Sequence, residues 1–286
     1  MNLPAKRVLK LFGKILVVLA IGFVVWRLYF YAGEIDFSRF DGWRWCAILV
    51  LIFLSAIANA LLARAWRQLL QNLGCRISVD QAVKIHGVSQ LARYIPGNIF
   101  HLAGRQALGM AAGIDAKVLA KSTVWELALI ALAASLFSIW VLPRFGLVFP
   151  MMWGQIGFGL CFLGLARVVG YIFSRFVTWA FISHTVFLAV SGGIFLILLW
   201  LSHEAPLPES IWTKIIGAYV VAWLLGLLVP GAPAGIGIRE AALIYLLNGV
   251  VPQVEVLTSV MLARAVTVIG DLLFFLYAFF KRQPQD

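Results

Sequence analysis

Two arginines stand where this chain could hold an anion. Arg105 and Arg239 each follow a Pro-Gly pair at the same spacing, nine residues beyond Pro96 and nine beyond Pro230, and each sits in an otherwise apolar stretch. A guanidinium fork matches phosphate bidentately. A helix that restarts after a break offers unpaired N–H groups and a positive dipole end to the same ligand. Asn98, His101 and Arg105 recur at i, i+3 and i+7 and so share one helix face. The matching face of the second stretch carries Ala232, Gly235 and Arg239. One arm thus offers side-chain donors. The other, with Gly231, Gly235 and Gly237 (and Gly97 at the first break), offers bare backbone and room. Asn98 also reads as a plain N-cap, and His101 as a packed or interfacial histidine.

Four more ionisable residues lie in or beside apolar segments: Glu126, Glu240, Arg264 and Asp271. Charges at such depth are costly and default to functional hypotheses. Two readings stand for them. They form a coupling or charge network, or they pair with the arginines as structural glue, three against three. His184 has no partner visible in the sequence and is read as structural. Cys46, Cys75 and Cys161 are scattered, with no CxxC, and indicate neither a disulfide framework nor a metal site. No catalytic residue, metal or cofactor is assigned.

The elements that must position these groups follow from composition. Hydrophobic residues make up 63% of the 286 and charged residues 12%, against about 25% in soluble domains. Mean hydropathy is +0.97. This excludes a conventional soluble catalytic domain and describes one polytopic, all-α transmembrane domain over 1–286. The net charge of +11 comes largely from Lys and Arg in short loops, which points to orientation and anionic headgroups rather than nucleic acid. Six spans are expected, at about 11–30, 43–63, 122–142, 149–166, 177–201 and 257–280. The run at 11–30 follows Lys6, Arg7 and Lys10 as a signal peptide would, but has no A-x-A-like cleavage site and is read as an uncleaved span.

Between the spans, Pro96, Pro230 and Pro233 break helices, because proline lacks the N–H and clashes one turn back. The stretches around them, about 80–112 and 213–250, are expected as helix–break–helix hairpins that dip into the membrane and return. Charge bias favours this. With both hairpins re-entrant, Lys6, Arg7, Lys10, Arg64, Arg67, Arg76, Lys117, Lys121, Arg167, Arg175, Lys281 and Arg282 fall on one side, and the opposite loops hold Arg39 and Arg144. Both termini are then cytoplasmic. Arms of about 15 residues reach only about 22 Å, short of a core of roughly 30 Å. The result is an inverted-topology repeat, about 8–145 and 149–282, the architecture of secondary transporters.

The two breaks resemble the lysylphosphatidylglycerol synthase transmembrane-region family, a flippase-like integral membrane domain also found as a stand-alone protein. The resemblance rests on Tyr94-Ile95-Pro96-Gly97-Asn98 with His101-Leu102-Ala103-Gly104-Arg105, on Glu126, and on Pro230-Gly231-Ala232-Pro233-Ala234-Gly235-Ile236-Gly237-Ile238-Arg239-Glu240. Ala232 and Ala234 depart from a pattern that more often has glycine. The resemblance implies a lipid translocase of the cytoplasmic (inner) membrane, moving a phospholipid or a polyprenyl-phosphate-linked sugar. Two alternatives remain open: a membrane-embedded glycosyl- or acyltransferase using Glu240 with His101, and a non-catalytic membrane partner of a lipid-modifying or glycosyl-transferring enzyme. No DxD nucleotide-sugar motif is present, Glu34-x-Asp36 being a short-loop pair.

Overall fold

A computed structural model describes residues 41–95, 99–147, 150–203, 207–229, 235 and 237–281, with isolated positions 19, 22, 25, 26, 29, 30 and 33. Apart from those isolated positions, the expected span at 11–30 lies outside this set, as do the break residues Pro96, Gly97, Asn98, Pro230, Gly231 and Pro233. Among the described residues every regular element is helical: α1 (Gly42–Asn72), α2 (Val79–Gln90), α3 (Phe100–Ala111), α4 (Ala116–Leu136), α5 (Met151–Ile172), α6 (Arg175–Ser202), α7 (Trp212–Leu228), α8 (Ile238–Leu247) and α9 (Gln253–Phe280).

Six described helical stretches are long and apolar enough to cross a membrane, namely Gly42–Asn72, Ala116–Trp140, Met151–Ile172, Arg175–Ser202, Glu209–Leu228 and Gln253–Phe280. The chain is a multi-pass membrane protein. Five of these correspond to expected spans. The sixth, Glu209–Leu228, is the first arm of the expected second hairpin, and its 20 residues give about 30 Å, enough to cross unaided. Arm length therefore does not set this segment apart from a span. α1 also runs past residue 63 to Asn72, since no glycine or proline interrupts it before Gly74.

Local chemistry sets the helix ends. Ser78 caps α2 by accepting from the Gln81 N–H, Asp115 caps α4 through Lys117 and Val118, and Ser174 caps α6 through Val177. At the first break α2 tightens into a 3-10 turn over Leu91–Tyr94, and Ile95 is extended at φ −67°, ψ 133°. At the second, α7 stops at Leu228 and Val229 is extended at φ −88°, ψ 111°. Both residues precede a proline, whose Cδ disfavours the helical conformation in its predecessor.

Contacts place the helix ends. At one end of the bundle Lys281 pairs with Asp80 at 2.7 Å, Ser174 donates to Asn72 at 2.6 Å and Arg67 to the Ile77 carbonyl at 2.9 Å. At the other, His203 meets Glu255, Trp43 packs against Trp200 with ring centroids 5.9 Å apart, and Arg144 donates to the Tyr245 carbonyl at 3.3 Å. α2 starts at the Lys281 end, and Gly109 of α3 abuts Leu119 in the first turn of α4. Gly217 of α7 abuts the Phe137 carbonyl, and Tyr245 of α8 lies beside Arg144. α1 touches α2, α4 and α9, and α2 touches α3 and α9; α6 touches α7, α9 and α4, and α7 touches α8 and α4. α1 and α6 pack together at the centre, around fully buried Leu69, Phe181 and Phe195.

Candidate functional site

Residues flanking both breaks, among them Arg93, His101, Leu227 and Arg239, line a cavity of about 120 Å³, room for a few waters or a phosphate-sized group. Ser55 and Asn59 of α1, Arg93 and Tyr94 at the first break and His101 of α3 form one side of its lining; Tyr219 and Trp223 of α7, Arg239 of α8, and Arg264 and Asp271 of α9 contribute the rest, with Phe187 and Ser191 of α6 closing it.

Asp271 is the polar anchor, 2% exposed. It reaches the cavity because α9 crosses α1 at a glycine: a Cβ on Gly270 would fall 2.7 Å from Ser55 Oγ, so only a small residue allows this approach. One carboxylate oxygen accepts from Asn59 Nδ2 at 2.8 Å, and the other from the Tyr94 hydroxyl at 2.7 Å and Arg93 Nη1 at 3.2 Å. Gln90 donates to Asn59 Oδ1 at 3.0 Å, completing the amide's partners.

The remaining carboxylates are also engaged. Glu126 Oε1 accepts from Arg105 Nη1 at 3.0 Å, and Nη2 stands 2.6 Å from the other oxygen as an ion pair. Arg105 is 3% exposed, also meets His86 Nδ1 at 3.1 Å, and lies over the Trp66 ring. Glu240 accepts from the Gly237 N–H at 2.7 Å, capping α8, and pairs with Arg264. Pairing is thus three against three, but the third arginine is Arg93, not Arg239.

Arg239 is left with no ion pair or hydrogen bond among the described residues, and its Nε is buried without a partner. Its guanidinium stands 5.7 Å from the Trp223 ring centroid. Two glycines make its bed. A Cβ on Gly226 would fall 2.9 Å from Arg239 Nε, and one on Gly235 (φ +71°) 2.8 Å from it. Counting Arg93, Arg239 and Arg264 against Asp271 and Glu240, the lining and its paired carboxylates carry one cation in excess.

The site residues expected from sequence are therefore distributed unevenly. His101, Arg239, Arg264 and Asp271 line the cavity, and Gly235 holds Arg239 in place. His101 Nδ1 is buried and unbonded. Arg105 and Glu126 are not among the lining residues; they close on each other one turn beyond His101. Gly237 serves the cap of α8. Glu240 and His101, the candidate acid/base pair, are not hydrogen-bonded to each other. His184 is fully buried with neither ring nitrogen bonded. Sequence reasoning passed over Arg93, Asn59 and Gln90. The signal was present for Arg93: a charge three residues before a helix-breaking proline, inside an apolar run, has to sit at the depth of the break.

Among the described residues no group of three or more His, Cys, Asp or Glu is placed to hold a metal ion. No protein-family model matches the chain, and no curated protein is significantly similar to it.

Proposed function

We propose that the protein is a lipid flippase, moving an anionic, phosphate-bearing lipid across the cytoplasmic membrane by alternating access. The observation that carries the reading is Arg239: an arginine with no acidic partner among the described residues, bedded on glycines and lining a cavity with residues that flank both helix breaks. A buried cation without a counter-charge is costly unless an anion arrives. Fork geometry makes phosphate the apt anion, and a lipid keeps its acyl or prenyl tail in the bilayer while the headgroup enters.

The architecture supports alternating access. α2–α3 and α7–α8 are re-entrant hairpins opening at opposite ends of the bundle, and the two sets of four helices are halves of an inverted repeat that rock against each other around the cavity. The termini are cytoplasmic in this reading, since Lys281, Arg76, Lys117 and Arg175 gather at one end and Arg144 stands at the other. The same architecture accords with the resemblance to the lysylphosphatidylglycerol synthase transmembrane-region family. Membrane lipids surround it, and a lipid-modifying or glycosyl-transferring enzyme is the natural source of its cargo.

Proteoliposomes test the proposal. Purified protein is expected to accelerate movement of a labelled phospholipid or a polyprenyl-phosphate-linked sugar over empty vesicles, without chemical change to the lipid, and Arg239→Gln to abolish the acceleration. A modified lipid product would instead establish an enzyme. Wild-type rates equal to those of empty vesicles for both lipid classes would sink the transporter.

A further inference from the structure

Of the arginines at the cavity, Arg264 is committed to Glu240, which also caps α8. Arg93 is held differently. It meets Asp271 through one nitrogen only, at 3.2 Å, and its side chain is 28% exposed. Asp271 does not depend on it: one oxygen keeps Asn59 at 2.8 Å and the other keeps Tyr94 at 2.7 Å. By contrast two nitrogens of Arg105 lie against Glu126, and the Arg105 side chain is more deeply buried than that of Arg93. The cost of removing an arginine from a buried carboxylate is largely the cost of leaving acceptors without donors. At Asp271 each oxygen retains a donor, so Arg93 can leave at comparatively low cost.

We infer that Arg93 is a detachable second ligand for the anion: it exchanges its bond to Asp271 for a bond to the phosphate, which it then clamps together with Arg239. This rests on the phosphate-site reading above and adds to it the residue from the first break. The ligand chemistry follows. Two arginines can share an anion with at least two free oxygens pointing apart, as in a phosphomonoester or phosphodiester. Asp271 holds Arg93 at the cavity wall, in the place a ligand oxygen would take. Binding energy at the phosphate is partly spent in breaking that pair, so the ligand and Asp271 compete for one guanidinium.

The full-length protein, purified in detergent, is titrated with short-chain phosphatidic acid and with short-chain polyprenyl phosphate. Arg93→Gln is expected to weaken binding about tenfold or more, through loss of charge-assisted bonds. Asp271→Asn, which frees Arg93, is expected to tighten it several-fold, and the double variant to fall to the level of Arg93→Gln. Tyr94→Phe works in the opposite sense to Asp271→Asn. It strips one Asp271 oxygen of its second donor, fastens Arg93 to the carboxylate and weakens binding, which keeps the test open even if Asp271→Asn does not fold. Binding that weakens in Asp271→Asn, or that is untouched by Arg93→Gln while lost in Arg239→Gln, overturns this inference alone. Absence of saturable wild-type binding to both probes overturns the phosphate site itself.

Discussion

The pair α2–α3 buries its arginine, whereas α7–α8 presents its own. Arg105 and Arg239 hold the same place relative to their breaks, yet Arg105 is locked to Glu126 over the Trp66 ring while Arg239 lines the cavity over Trp223. The cause is the neighbouring helix. α4 supplies Glu126 opposite Arg105, and α9 supplies Arg264 in the equivalent role, which draws Glu240 and leaves Arg239 without a carboxylate. The first pair compensates by sending Arg93, from before its break, to the cavity. Sequence symmetry fixed where the arginines stand along the chain; the charges on the facing helices decided which are free.

This comparison breaks most visibly at Arg105. Arg105→Gln leaves Glu126 buried with its cation gone, a loss of about 3–5 kcal/mol. Thermal unfolding in detergent is expected to show a large drop, largely recovered by adding Glu126→Gln. A normally stable Arg105→Gln protein that fails only in transport would return Arg105 to the substrate site.

The glycine bed of Arg239 gives the next largest effect. Gly235→Leu forces a side chain into a left-handed backbone position and onto Arg239 Nε, which overpacking and strain place at about 1–3 kcal/mol. Gly109→Ala serves as the control in the other pair. Its Cβ would press on Leu119 at 2.7 Å, away from the cavity. Both variants are expected to lose some stability, but only Gly235→Leu to lose transport among molecules that remain folded. Equal transport per folded molecule in the two would remove any special role for the Arg239 bed.

Much of this was legible in the chain. The breaks announce themselves through Pro96 and Pro230, and Ile95 and Val229 adopt the extended backbone that a following proline favours. The depth of Glu126, Arg264 and Asp271 follows from charges in apolar runs. What could not be read was the pairing, because a partner is chosen by which helix crosses which, and at what residue. Asp271 meets Asn59 and Arg93 because Gly270 lets α9 lie against Ser55 of α1, more than two hundred positions away in sequence. Charge counting gave three against three because it omitted Arg93; among the described residues of the network four arginines stand against the three carboxylates, and Arg239 is the one left over. Neutral residues such as Asn59 and Gln90 carry no charge signal, so their place in the network emerges only from the packing.

Arg239→Gln should disturb the fold least and function most. Its guanidinium has no carboxylate among the described residues to strand, so removal leaves no orphaned charge behind. What is lost is contact with Trp223, worth about 0.5–2 kcal/mol for a cation over an aromatic face, and what is gained is relief from burying an unneutralised charge. These oppose each other, so unfolding is expected to shift by no more than about 1 kcal/mol in either direction. Transport of a phosphate-bearing lipid, by contrast, is expected to stop, with Arg239→Lys recovering only part of it because an ammonium lacks the planar fork. Measured on one preparation, a stable and inactive Arg239→Gln beside an unstable Arg105→Gln would make the two arginines a structural residue and a binding residue at one repeated position. If Arg239→Gln proves as unstable as Arg105→Gln, then Arg239 is bound within the fold after all, and the excess cation of the cavity is not there for a ligand.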